Sequence, residues 1–182
     1  MKSPDSSRAR RYTLLALTAA MATSITACAD VGRGSTAPTA SADRQAQVAE
    51  RGQSVMPFEL DRTTHHFQKG NGGGVQTVVA DDPRDVKQVD LVRRHLQQEA
   101  ERFRRGDFTD PASIHGGQMP GLDVLRDSAS RLEIEYGTTD DGARITYTSS
   151  DTTVVAALHA WFDAQVSDHG AHATSGATTS TS

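Results

Sequence analysis

The stretch Arg131-Leu132-Glu133-Ile134-Glu135-Tyr136-Gly137-Thr138-Thr139-Asp140-Asp141-Gly142-Ala143-Arg144-Ile145-Thr146-Tyr147-Thr148 decides the fold. Leu132, Ile134 and Tyr136 alternate with Arg131, Glu133 and Glu135, and after Asp140-Asp141-Gly142 the residues Ile145 and Tyr147 alternate with Arg144, Thr146 and Thr148. A period of two on both sides of an Asp-Gly turn is the pattern of an antiparallel hairpin with one wet and one buried face. That buried face needs a cover, and the segments on either side of the hairpin supply it.

Upstream, a second hairpin is expected. It runs through Phe58 to Phe67, turns at Gly70-Asn71-Gly72-Gly73-Gly74 and returns through Val75 to Ala80. Asp82-Pro83 with Asp85 then opens a helix: a capping side chain, a proline in the first turn and a carboxylate at the positive end of the dipole. Val89, Val92, Leu96, Ala100 and Phe103 form its apolar stripe, and Gly106 ends it. Asp110-Pro111 opens a short turn stopped at Gly116-Gly117, and Pro120 opens a brief helix through Leu122 and Leu125. Downstream, a helix beginning at Ser150 or Asp151 turns Val154, Val155, Leu158, Trp161 and Phe162 inward and finishes near Gly170. The expected order is ββααββα, an α+β domain whose two hairpins form an antiparallel sheet with its helices on one face.

The N-terminus speaks to location. Lys2, Arg8, Arg10 and Arg11 precede an uncharged run from Leu14 to Ala27, too short to span a bilayer stably, and Cys28 follows directly. A small residue before a lone cysteine is the layout of a bacterial lipobox, in which the thiol receives the lipid. Cleavage by an ordinary signal peptidase would instead leave the chain's only cysteine without a role. Arg10-Arg11 leaves the route open between Sec and twin-arginine export. The expected division is a signal peptide at 1–27, acylated Cys28 and a disordered linker at 28–55, one domain at 56–170 and a disordered tail at 171–182. The linker, rich in Ala, Ser, Thr, Gly and Gln, reads as a coil spanning roughly 30 Å.

Residues 1–27 carry four of the 19 basic residues and one of the 23 acidic ones, so the chain after them stands at −7. A negative domain is a poor partner for nucleic acid or for phosphate. The lipid anchor places it at the extracytoplasmic face of the cell membrane, where an envelope protein is a possible partner.

Seven histidines raise a metal hypothesis. His95 and His159 border the apolar stripes of the two long helices, His115 and Met119 sit in or beside the glycine-rich loop, and His169 ends the last helix. Imidazoles with a thioether suit copper, and imidazoles with a carboxylate such as Asp163 suit zinc. The plainer reading pairs His95 with Glu99 and His159 with Asp163, one turn on in each case. It leaves His169 to the helix dipole and Met119 to the core. Adjacent His65 and His66 point to opposite faces, so at most one joins an interior site.

Met56-Pro57-Phe58-Glu59-Leu60-Asp61-Arg62-Thr63-Thr64-His65, Ala80-Asp81-Asp82-Pro83, Glu99-Ala100-Glu101-Arg102-Phe103, Met119-Pro120-Gly121-Leu122 and Leu158-His159-Ala160-Trp161-Phe162-Asp163-Ala164-Gln165 with Ser167-Asp168-His169-Gly170 together resemble a group of small, mostly uncharacterised bacterial proteins that sometimes carry an aspartate carbamoyltransferase label. The resemblance spans nearly the whole domain and implies little about activity. Carbamoyltransferases use two full α/β domains and a Ser-Thr-Arg-Thr loop, and this chain has neither, so that activity is not expected.

No His-Glu-x-x-His, Cys-x-x-Cys-His or Gly-x-Ser-x-Gly occurs, and the Gly70 to Gly74 run joins two strands instead of cradling a phosphate. The expectation is a lipid-anchored, non-catalytic binding or accessory protein. A copper- or zinc-binding lipoprotein comes second, and an enzyme third.

Overall fold

The hairpin alternation is realised in a five-stranded sheet. The computed structural model describes residues 36–176, with side chains from residue 41 onward. The leader, Cys28, the first part of the expected linker and residues 177–182 lie outside the described residues. The first hairpin is β1 (Thr63–Gly70) and β2 (Gly73–Ala80), and the second is β3 (Glu133–Thr138) and β4 (Gly142–Thr148). β2 pairs with β4 antiparallel, with Gln76 opposite Ile145 and Val78 opposite Ala143, and this joins the two hairpins edge to edge.

One face of the sheet is apolar and covered. Thr63, His65 and Phe67 from β1, Val78 from β2, Ile134 from β3, and Ala143, Ile145 and Tyr147 from β4 are all buried on it. Glu133, Glu135, Arg144 and Thr148 are exposed on the other. The cover consists of α2 (Val86–Phe103) and α5 (Thr152–His169), with the shorter α3 (Thr109–His115) and α4 (Leu122–Asp127). Asp85 caps α2 by accepting from Gln88 N, and Asp151 caps α5 by accepting from Thr153 N at 2.8 Å, which satisfies donors that have no partner inside the helix. α2 begins at Val86, one turn later than Asp82-Pro83 suggests, because Asp82 is used in a turn with Arg84.

Trp161 is the hub of the core. It meets Phe103 and Phe108 edge-on at 6.0 and 5.9 Å, Tyr147 at 6.1 Å and Phe162 at 5.8 Å. Edge-to-face geometry adds about 0.5–1.5 kcal/mol per pair beyond the apolar area removed from water.

Three expectations are corrected. Residues 36–55 are a helix, α1 (Thr36–Val55), where a flexible linker is expected. It lacks a stripe of large apolar groups and is held by contacts instead: Val48 is fully buried, Gly52 is buried, and Arg44 reaches across to α5. The tail is ordered as far as Gly176. A turn at Gly170–His172 leads into β5 (Ala173–Gly176), which pairs parallel with β1 and puts Ala173 opposite His65. The sheet is therefore mixed, in the order β3-β4-β2-β1-β5, and the element order is longer than ββααββα, although the class is α+β. The first strand begins at Thr63, because Leu60–Arg62 form a 3-10 turn where strand is expected from Phe58.

Candidate ligand-binding pocket

A cavity of ≈ 40 Å³ lies between the covered sheet face and the helices. That is room for about three water molecules. α2 contributes His95, Leu96, Glu99 and Phe103, which a 3.6-residue period places on one face. α3 contributes Asp110, Pro111, Ile114 and His115, and α5 contributes Trp161, Gln165 and His169, each one turn from the next. His65 and Gln76 come up from β1 and β2, and Met56 and Phe58 close the side.

Four buried side-chain atoms among the described residues lack a hydrogen-bond partner: His65 Nδ1, Glu99 Oε1, Trp161 Nε1 and Gln165 Oε1. All four residues line this cavity. Leaving such a group unpaired costs about 1–3 kcal/mol, so four in one place mark a site shaped for something other than stability.

The imidazoles form a stack. The His65 and His169 rings lie 4.7 Å apart at 11°, and His115 meets His169 edge-on at 4.9 Å. Phe58 extends the group to His95, at 5.5 Å and 73°. Burial in this apolar setting pushes His65 down to about 3 and His95 down to about 4, and it holds His169 well below the ordinary 6.5. Neighbouring imidazoles press His65 and His169 the same way. His115 is also lowered by burial, although the carboxylate of Asp168 works against the shift. All four rings are neutral at pH 7.

Glu99 goes the other way. Burial raises its carboxyl to about 8, and a hydrogen bond with the Asp110 carboxyl and that group's charge add to the rise. Arg102 opposes it only weakly, since its Nη1 stands 3.8 Å from Glu99 Oε1 and is engaged by Asp110. Glu99 is thus a carboxylic acid at neutral pH.

Behind the stack, Asp168 ties α1 to the site. Arg44 donates to both of its oxygens, at 2.9 Å from Nε and 2.6 Å from Nη2, and also to the His115 carbonyl at 2.6 Å. His115 Nδ1 donates to Asp168 at 2.9 Å, so the ring presents Nε2 as an acceptor. Burial acts upward on Asp168, but the hydrogen bonds from Arg44 and His115 outweigh it and keep the group an anion.

Of the five residues proposed from sequence as metal ligands, His95, His115 and His169 meet at the cavity. His159 does not: its Nε2 lies 2.8 Å from Gly73 O and 3.1 Å from Gly70 O, fixing the first hairpin's turn to α5. Met119 is buried in the core. Asp163 pairs with Lys69 and leaves His159 to the carbonyls. His66 faces the opposite side of the sheet and bonds Thr174 at 2.7 Å. Among the described residues, no three of His, Cys, Asp and Glu are placed to hold a metal ion. The His65 and His169 rings lie nearly parallel, at 11°, and His115 meets His169 edge-on at 75°.

The four residues with unpartnered atoms are not among the ligands proposed from the sequence. His65 was recoverable from its two-residue spacing to Phe67. Glu99 and Gln165 stand one turn from His95 and His169, but reading the first as a partner for His95 and Trp161 as core filling hid their shared cavity. Comparison with protein-family models, curated proteins and solved structures finds no match to this chain.

Proposed function

We propose that the protein is a lipid-anchored extracytoplasmic binding module that holds a small polar ligand in the cavity between α2, α3, α5 and the sheet. The observation that carries the reading is the gathering of the four unpartnered buried polar atoms around that one cavity. A ligand that pairs with them recovers the free energy their desolvation costs.

Trp161 is the only tryptophan, so its emission reports the pocket directly. Ethanolamine, acetamide and ethylene glycol are titrated in turn up to about 100 mM, where a ligand gaining only ~1.4 kcal/mol is still seen. At least one should shift the emission of the wild type and lose its effect in Gln165→Leu. No shift from any of the three rejects the pocket as a ligand site.

The anchor is tested apart. Cys28→Ser should move the protein from the membrane fraction to the soluble one, and continued membrane retention of that variant defeats the lipid assignment. No helix among the described residues is long and apolar enough to cross a membrane.

Copper or zinc is the second reading, favoured by four neutral imidazoles at one cavity. It requires the His65–His169 stack to part so that their nitrogens converge. Metal analysis of untagged protein, with no stoichiometric copper or zinc found, removes it.

A further inference from the structure

Resting on the assignment of the cavity as a ligand site, we infer that its ligand is a small primary amine, bound as the ammonium ion and carrying an acceptor oxygen a few atoms away. The unpartnered atoms supply the argument. Glu99 Oε1 and Gln165 Oε1 accept, and His65 Nδ1 accepts as well. His65 Nδ1 is an acceptor in the neutral tautomer that carries its proton on Nε2. Three acceptors match the three donors of an R–NH₃⁺ group, which has no lone pair to offer. The fourth atom, Trp161 Nε1, only donates, and it requires an acceptor on the ligand beside the amine.

The charge around the cavity agrees. No lysine or arginine lines it, while two carboxyl groups, Glu99 and Asp110, do. The two guanidinium groups beside it are both engaged, Arg102 by Asp110 and Arg44 by Asp168. An anion entering here meets no compensating charge, and an ammonium ion meets carboxyl oxygens together with the rings of Phe58, Phe103 and Trp161. The volume suits the head of a small molecule. A phosphate attached to the same amine, as in a phospholipid headgroup, finds no cation to receive it.

The test uses the full domain and Trp161 emission. Ethanolamine should bind at least tenfold more tightly than tetramethylammonium, which has the charge without the N–H donors, and than ethylene glycol, acetate or O-phosphoethanolamine. Gln165→Met keeps the side-chain volume but removes the acceptor, and it should weaken ethanolamine about tenfold or more while thermal unfolding confirms the fold. Glu99 gives up its proton when the ammonium ion binds, so Glu99→Gln, which keeps an acceptor oxygen but cannot become an anion, should remove most of the preference for the amine over ethylene glycol. If acetamide or ethylene glycol binds as well as ethanolamine, the amine assignment fails and the pocket reading stands. Tighter binding of O-phosphoethanolamine than of ethanolamine also overturns it, in favour of a lipid headgroup. Zinc chloride or copper sulfate quenching Trp161 where no amine does overturns it in favour of metal. If none of these probes is bound, both readings fall.

Discussion

The ligand-free protein should be most stable near pH 6.5 and lose stability on both sides, and Glu99→Gln should abolish the loss on the alkaline side. The sign follows from which state binds more protons. Glu99 rises from its ordinary 4.5 to about 8 on folding, so between those values the folded chain keeps a proton that the unfolded chain has released. Stability therefore falls as pH rises through that window, by on the order of 5 kcal/mol in total and about 2 kcal/mol between pH 6.5 and 9. His65 and His95 act in the opposite sense. Their folded values of about 3 and about 4 lie below the ordinary 6.5, so an acid medium protonates the unfolded chain first and stability falls as pH drops below 6.5. His169 and His115 shift in the same direction and steepen the acid limb. The groups that set the Glu99 shift are Asp110, Arg102 and Asp107, with the buried Tyr147 phenol facing it from the sheet. Urea midpoints from pH 5 to 9 measure the profile. An alkaline limb of unchanged slope in Glu99→Gln would show that another group carries it.

The strands and the two long helices were readable because their side chains repeat. Ile134, Tyr136, Ile145 and Tyr147 alternate with charged or hydroxylated neighbours, and each inward residue takes part in the core or packs against it. Val89, Val92, Leu96, Ala100 and Phe103 keep the helical period and are all buried. α1 escaped because its attachment depends on groups without hydrophobic periodicity: a guanidinium paired with Asp168, one buried valine and one buried glycine. β5 escaped for a related reason. Ala173-Thr174-Ser175-Gly176 has little strand propensity of its own and is held by the free edge of β1. The site was half legible. The stripe borders paired His95 with His159, and the structure instead brings His95 and His169 to one cavity, because helical spacing says nothing about position along the helix axis. His159 stands in the middle of α5 beside the first hairpin's turn, nearly three turns from His169, and does not line the cavity. The unpaired state of Glu99, Gln165 and Trp161 is a property of three-dimensional packing, with no trace in a one-dimensional pattern.

The second large effect belongs to Gly121, which should not tolerate even alanine. Its φ of +79° lies in the left-handed region, and a Cβ there would stand 2.0 Å from the Ala157 carbonyl oxygen on α5. The obstruction is backbone, so no side chain can swing away; α4 would have to leave α5 and partly expose Leu122 and Leu125, both fully buried. Conformational strain contributes about 1–2 kcal/mol, and the lost packing brings the cost of Gly121→Ala to at least about 3 kcal/mol, a fall in Tm of roughly 10 °C. Gly117 provides the control within the same loop. A Cβ there meets no atom within 4 Å, so Gly117→Ala should melt within about 2 °C of the wild type. Both alanines give the unfolded chain the same reduction in freedom, so the difference between them isolates the folded-state clash. Equal melting temperatures for the two variants would mean that α4 does not approach α5 through Gly121.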